Sequence, residues 1–168
     1  MRAQIWSIDF IVSVVIFAAA VAMILFVWGS ASSQAAESLQ ITELQKKAIT
    51  AADTLVRIKG VPENWVQGNV TFIGLAEREG VISSQKVAQL LNMGYGDARG
   101  GLQLGGDEFY LALKDSNGTF LNATVGSVSM QIEYGNYPNS SKFVVPVERY
   151  VLYNGELARL QLIVWRAA

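Results

Sequence analysis

The longest apolar run in the chain extends from Phe10 to Trp28, nineteen residues without a charge, a proline or a glycine. At the α-helical rise of about 1.5 Å per residue, a helix of this length reaches roughly 28 Å, close to the hydrocarbon thickness of a bilayer. A helix in a soluble core would show polar residues along one side, whereas Ser13 is the only polar residue here. The pattern predicts a helix that crosses or anchors in a membrane.

A carboxylate, Asp9, precedes this run directly. An acid at the bilayer centre costs about 2.5 to 3.5 kcal/mol, and less toward the interface, so Asp9 calls for a basic partner. Arg2 and the amino terminus are the candidates, but within one helix Arg2 lies two turns away, roughly 10 Å along the axis. We therefore expect the positive charge to come from a neighbouring copy of the chain.

Beyond Gly29 the residues become more polar, but helix-forming residues continue and no proline occurs before Pro62. The segment 29–33 is a place where we expect a bend. Apolar positions then recur at spacings of three and four, which predicts a helix with one apolar face. These positions are Ile41, Leu44, Ala48, Ala51, Leu55 and Ile58, widened by Ile49, Ala52 and Val56.

This apolar face favours packing on a sheet over a coiled-coil seam, because the repeat covers fewer than about three heptads and includes several alanines. The opposite face is expected to carry two ion pairs at i,i+4 spacing. These are Glu43 with Lys47 and Asp53 with Arg57.

Several short elements are predicted in the middle of the chain. Residues 70–73 are rich in β-forming residues and predict a short strand, and Ser83 and Ser84 can cap a helix over 85–92. The stretch from Gly94 to Gly106 contains six glycines, which predicts a flexible surface loop. A dinucleotide fingerprint is excluded there because Arg99 stands where a glycine is needed.

The carboxyl-terminal part alternates between apolar and polar positions, as half-buried strands do. Two such strands have the apolar positions Phe109, Leu111 and Leu113, and Val128, Met130, Ile132 and Tyr134. The strongest pattern is a hairpin in which 143–153 and 156–166 flank Asn154-Gly155, the preferred two-residue type I′ turn.

Tight closure of this turn pairs Tyr153 with Glu156 and determines the rest of the register. One face then carries Val151 opposite Ala158, Val147 opposite Leu162 and Val145 opposite Val164, and the other carries Tyr150 opposite Arg159 and Glu148 opposite Gln161. Pro146 lacks a backbone donor, so its end of the strand is predicted to lie at a sheet edge or a bulge.

The amino-acid composition argues against several classes of partner, metal site and catalytic site. The net charge is −1 and the 13 Lys and Arg residues are scattered, which argues against nucleic acid as a partner. With no cysteine and no histidine, the common zinc and copper sites and Ser-His or Cys-His catalysis are excluded. Asp107 and Glu108 are adjacent and would point apart in a strand, so we expect them to be solvated. We expect no metal, no cofactor and no enzymatic activity.

The start of the chain, Arg2-Ala3-Gln4-Ile5-Trp6-Ser7-Ile8-Asp9-Phe10 followed by the apolar helix, resembles the amino terminus of archaeal type IV pilin-like subunits with class III signal peptides. Those have a short basic leader, a cleavage point after a small residue, a Gln-x-Ser-x-Glu-Phe-like motif and the filament-core helix. The resemblance implies cleavage after Ala3 and a mature chain that begins at Gln4. It matches Ser7, Asp9 and Phe10 to Ser, Glu and Phe, with one extra residue after Gln4.

The fold expected from these patterns is α+β, a pilin-like ladle in which a long helix packs on an antiparallel sheet. Residues 1–59 form the helix, with an apolar part at 5–28 and an amphipathic part at 34–59, and residues 60–168 form a β-rich head. Arg2 and the amino group are expected to stay cytoplasmic, which places the head outside the membrane.

The resemblance implies a structural subunit of an extracellular type IV pilus-like filament, used for adhesion or motility. The chain would then be held in the membrane before assembly and bundled with copies of itself afterwards, with Arg2, Asp9 and Phe10 in the polymerisation contact. The alternative is a non-polymerising extracellular binding module held by a single span. Four Asn-x-Ser/Thr sequons are candidates for N-linked glycans: Asn69, Asn117, Asn122 and Asn139.

Overall fold

The computed structural model describes residues 3–139, 141 and 143–166, with side chains described from Ile8 onward except at Ser33. These residues form three helices and ten strands. The helices are α1 (Ala3–Arg57), α2 (Ser84–Leu91) and α3 (Tyr95–Gly101). The strands are β1 (Gly60–Val61), β2 (Phe72–Ile73), β3 (Ala76–Arg78), β4 (Val81–Ile82), β5 (Glu108–Lys114), β6 (Asn122–Val125), β7 (Val128–Gln131), β8 (Glu133–Gly135), β9 (Val144–Tyr153) and β10 (Glu156–Trp165).

The chain divides into two compact units, one ending at Thr42 and the other beginning at Glu43. The first unit consists of the amino-terminal part of α1. Its helix is not interrupted over 29–33, where we expected a bend. The hydroxyl groups of Ser30 and Ser32 donate to the carbonyl oxygens of Val27 and Trp28 at 2.9 and 2.8 Å, so these serines bond within the helix.

The second unit is built on a six-stranded sheet with the order β3-β4-β9-β10-β5-β8. Neighbouring strands are antiparallel except β4 and β9, which run parallel. The sheet is therefore mixed, and the expectation of a purely antiparallel sheet is wrong. A parallel pair requires a long crossover connection, and here α2, α3 and β5 to β8 lie between the two strands in the chain. The α+β layout itself is confirmed.

The carboxyl-terminal part of α1 packs within the second unit, as its apolar face predicts. The helical residues in the core are Leu44, Ala48, Ala51, Ala52, Leu55 and Val56. Two residues that were predicted to lie on the buried apolar face of the helix are exposed. Ile49 is 46% exposed, and Ile58 is 40% exposed because the helix ends at Arg57.

The long hairpin has the predicted register at every position. Tyr153 pairs with Glu156, and Val147 pairs with Leu162. Asn154 and Gly155 have φ of 52° and 85°, as a type I′ turn requires. β4 pairs only with Leu152 and Tyr153, at the turn end of β9, so no described strand pairs with this side of β9 at Pro146. This confirms the prediction that the Pro146 end of the strand lies at a sheet edge or a bulge.

Three predictions of local structure are wrong. The glycine-rich stretch contains α3, and Ala98, Leu102 and Leu104 in it are buried. The strand predicted from Val128 to Tyr134 is two strands in different sheets.

The third wrong prediction is that β5 is half-buried. β5 is buried on both faces, because Tyr110 and Ala112 pack with Ile163, Trp165 and Phe120 in a second apolar cluster.

Candidate functional site

The apolar part of α1 is the most unusual surface on the described chain. All described side chains from Ile8 to Ser32 are exposed, including Phe10 at 69%, Phe17 at 71% and Phe26 at 77%. At about 100° per residue, Phe10 and Phe26 are separated by roughly 160° around the helix axis. Apolar groups are therefore exposed on opposite sides of the helix and not along one stripe.

This helix is long and apolar enough to cross a membrane. Its most apolar 18-residue window has a mean hydropathy of 3.1, and none of that window is buried within the described chain. Among the described helices α1 alone meets this criterion. Length and composition thus permit a span, as the sequence predicts.

Asp9 is exposed and makes no ion pair with any other side chain that the structure describes. Phe10 follows it on the helix. Arg2 lies outside the described residues, so the expected pairing of Asp9 with Arg2 or an amino terminus stays a prediction. Ala3 and Gln4 lie within α1, but their side chains are not described.

All four sequon asparagines are exposed, in different settings. Asn69 accepts a hydrogen bond from the N–H of Val66 at 2.8 Å, so its side chain is engaged in a turn. Asn117 lies in a turn held by Asp115, whose carboxylate accepts the N–H groups of Asn117 and Thr119. Asn122 begins β6. The sequon of Asn139 includes Ser140, which lies outside the described residues.

The second unit contains a charged cluster that the sequence did not predict. Asp107, expected to be solvated, is 2% exposed. One carboxylate oxygen accepts a hydrogen bond from Lys47 Nζ at 2.8 Å, and the other accepts one from Arg166 Nε at 2.8 Å. Lys47 also contacts Glu43 at 3.0 Å, which confirms that expected pair.

Burial by itself raises the pKa of Asp107, but hydrogen bonds from Arg166 and Lys47 more than offset burial and hold the pKa below its usual range. The pKa of Lys47 is raised, chiefly by its hydrogen bond to Asp107. The cluster therefore keeps its charges at neutral pH. It joins α1, the segment before β5 and the end of β10.

The second expected helix pair is not formed. Asp53 accepts a hydrogen bond from Arg149 Nε of β9 at 2.8 Å, and Arg57 lies 3.7 Å from Glu79. Both partners are distant in the chain, so i,i+4 spacing could not reveal them. Among the described residues no group of three or more carboxylates is placed to hold a metal ion.

No family model matches the chain, and neither a curated protein nor a solved structure matches it. The resemblance to archaeal type IV pilin-like subunits thus rests on the amino-terminal residues and their pattern.

Proposed function

We propose that the chain is a structural subunit of an extracellular type IV pilus-like filament and polymerises through its apolar amino-terminal helix. The observation that carries the proposal is the exposure of apolar side chains on opposite sides of α1 between Ile8 and Trp28. Exposed apolar surface costs about 25 cal/mol per Å² in water, so this helix requires cover around its circumference. A membrane supplies the cover before assembly, and the helices of neighbouring copies supply it in the filament.

Asp9 supports this proposal because a carboxylate beside an apolar surface is stabilised when a positive group approaches it. That group is Arg2 or the amino terminus of an adjacent copy. Cleavage after Ala3 would leave Gln4 as the first residue, and its amino group would then be the partner. Phe10 adds apolar contact beside the pair.

The unit from Glu43 onward is carried at the cell surface, where it serves adhesion or motility and bears N-linked glycans on exposed sequons. The proposed partners are copies of the chain, together with the membrane before assembly. The role is structural and not enzymatic.

The second candidate is a non-polymerising extracellular binding module. It is favoured by the length and hydropathy of the apolar run from Phe10 to Trp28, which fit a single membrane span without further copies. Asp9 separates the two candidates, because polymerisation would place a positive group of an adjacent copy beside its carboxylate, whereas a single membrane span requires no such group.

The test compares sheared surface material by electron microscopy from cells that produce the parent chain, Asp9→Ala and Asp9→Glu. Removing one member of a buried ion pair costs about 3 to 5 kcal/mol, or two to three orders of magnitude in subunit affinity. We expect filaments from the parent and Asp9→Glu, and few or none from Asp9→Ala.

Membrane fractions provide the control, since the Asp9→Ala chain should still insert when its apolar run is lengthened. Undiminished filaments from Asp9→Ala would contradict the pairing. A parent chain that forms no filaments would favour the anchored module.

A further inference from the structure

The two-stranded ribbon of β6 and β7 has a free edge on β7. β6 and β7 pair from Asn122 with Gln131 to Val125 with Val128, and no other described strand pairs with β7. In a ribbon closed by a two-residue turn, the residues beside the turn form a hydrogen-bonded pair, and alternate residues direct N–H and C=O outward. On β7 the outward residues are Ser129 and Gln131.

The hydrogen bond from Ile132 N–H to the Leu121 carbonyl, 2.7 Å long, continues this alternation. Within the described chain, the backbone groups of Ser129 and Gln131 have no partner beyond the ribbon. β7 therefore presents a row of unpaired donors and acceptors, which is a template for another extended strand.

The β7 edge has none of the charges or prolines with which proteins normally block strand pairing. Residues 116–132 contain no charged side chain. All four residues of β7 are exposed, and Val128 and Met130 are 60% and 45% exposed.

The free edges of the other two sheets in the second unit are protected. β3 carries Glu77 and Arg78, and the open part of β9 carries Pro146 and Glu148. β8 carries Glu133, while β1 and β2 have two residues each. The lack of charge is thus particular to the ribbon of β6 and β7. On the β6 side, α2 contacts the strand and the Tyr153 hydroxyl donates a hydrogen bond to the Asn122 carbonyl at 3.4 Å, whereas no described strand or helix contact of this kind covers β7.

We infer that β7 is a self-association strand that pairs in antiparallel orientation with β7 of a second copy of this chain. A charged edge paired with itself would bring like charges together, whereas this neutral edge has none to repel. With Ser129 opposite Ser129 of the second copy, Val128 lies opposite Met130 of that copy. Their exposed apolar side chains then meet on one face of a four-stranded sheet.

The test uses the absence of native cysteine. Ser129→Cys is oxidised mildly in cells and in the purified full chain in detergent, with Ser116→Cys as the matched control. Ser116 is an exposed serine in the same uncharged stretch, away from the β7 edge. We expect a disulfide-linked product of twice the chain mass, several-fold more abundant for Ser129→Cys than for Ser116→Cys.

A second substitution tests whether backbone pairing causes the cross-link. Gln131→Pro removes an outward N–H without removing a ribbon hydrogen bond, and Gln131→Ala keeps that N–H. In the stated register the N–H of Gln131 faces Ser127 of the second copy, so proline removes a hydrogen bond at each end of the pairing. In the Ser129→Cys chain, proline should reduce the cross-link several-fold and alanine should retain it, with circular dichroism checking that both are folded.

Equal cross-linking of Ser129→Cys and Ser116→Cys would overturn the inference even if the proline variant failed to fold. A cross-link that Gln131→Pro leaves undiminished in a folded chain would also overturn it, as would a cellular product with a different polypeptide. These outcomes do not involve Asp9, so the filament proposal is tested separately.

Discussion

At the scale of single residues, Asp107 connects distant parts of the second unit. Its carboxylate accepts hydrogen bonds from Lys47 on α1 and Arg166 after β10, while its own side chain is 2% exposed. A carboxylate is buried in a folded protein only with such partners, because removing its charge from water costs free energy that hydrogen bonds and opposite charges must offset. The two cations remain about one-third exposed, so water moderates the energy of the cluster.

We predict that Asp107→Asn lowers the free energy of unfolding at pH 7 by roughly 1 to 3 kcal/mol, because two cations lose their shared acceptor charge. The matched control is Glu63→Gln, which breaks the exposed pair of Lys59 and Glu63 at 3.3 Å. That change should cost at most about 0.5 kcal/mol. Chemical denaturation, monitored by near-ultraviolet circular dichroism, measures the free energy of unfolding of both variants. Equal losses in the two variants would contradict the stabilising role of Asp107.

The lowered pKa of Asp107 also predicts how the stability difference between the parent and Asp107→Asn depends on pH. Because the folded pKa of Asp107 lies below its ordinary value of 3.8, its contribution is fully present above pH 3.8. The contribution is lost as the pH falls through the folded pKa. The stability difference between the parent and Asp107→Asn should therefore shrink as the pH is lowered from 4 toward 2. A constant difference across this range would show that the carboxylate charge is not its cause.

At the scale of elements, α3 shows how one glycine permits close packing. A Cβ on Gly101 would lie 2.7 and 2.8 Å from side-chain atoms of Ile73, which is fully buried on β2. A Cβ on the preceding residue, Gly100, would meet nothing within 4 Å. The helix therefore approaches β2 closely at Gly101 and faces open space at Gly100.

We predict that Gly101→Ala destabilises the second unit by about 1 to 3 kcal/mol, because Ile73 must move within a packed core. Gly100→Ala is the matched control, and it should stabilise by a few tenths to about 1 kcal/mol through higher helix propensity. Thermal unfolding of the two variants measures the difference. Two variants that stabilise equally would show that the contact with Ile73 is not restrictive.

At the scale of the whole molecule, the core of the second unit includes one end of α1. Leu44, Leu55 and Val56 are buried among side chains of the sheet. Each such residue contributes roughly 1.5 to 3 kcal/mol, and together they approach the total stability of a typical domain, about 5 to 15 kcal/mol. A head that begins at Gly60 would lack all three.

We therefore predict that residues 43–168 fold as a shortened chain, whereas residues 60–168 do not. The first should show a mixed helix and strand spectrum and one cooperative thermal transition, since it contains the buried face of α1. The second should be unfolded or aggregated under the same conditions. Similar cooperative transitions in both chains would contradict the structural importance of residues 44–56.

The sequence by itself determined the elements whose signals are local. The apolar run and the three- and four-residue repeat located α1, since a helix places such positions on predictable faces. Asn154-Gly155 determined the register of β9 and β10, because a two-residue turn leaves one tight pairing. The amino-terminal pattern suggested Asp9 as a contact residue, and its pairing with Arg2 stays a prediction.

Only the tertiary structure decided features that depend on residues distant in the chain. Asp107 is buried because Lys47 and Arg166 meet it, and no local pattern brings those three together. α3 forms in a glycine-rich stretch because its apolar residues and Gly101 pack against the core, which overrides weak helix propensity. The parallel pairing of β4 and β9 likewise depends on a long crossover connection, whose path sequence periodicity does not encode.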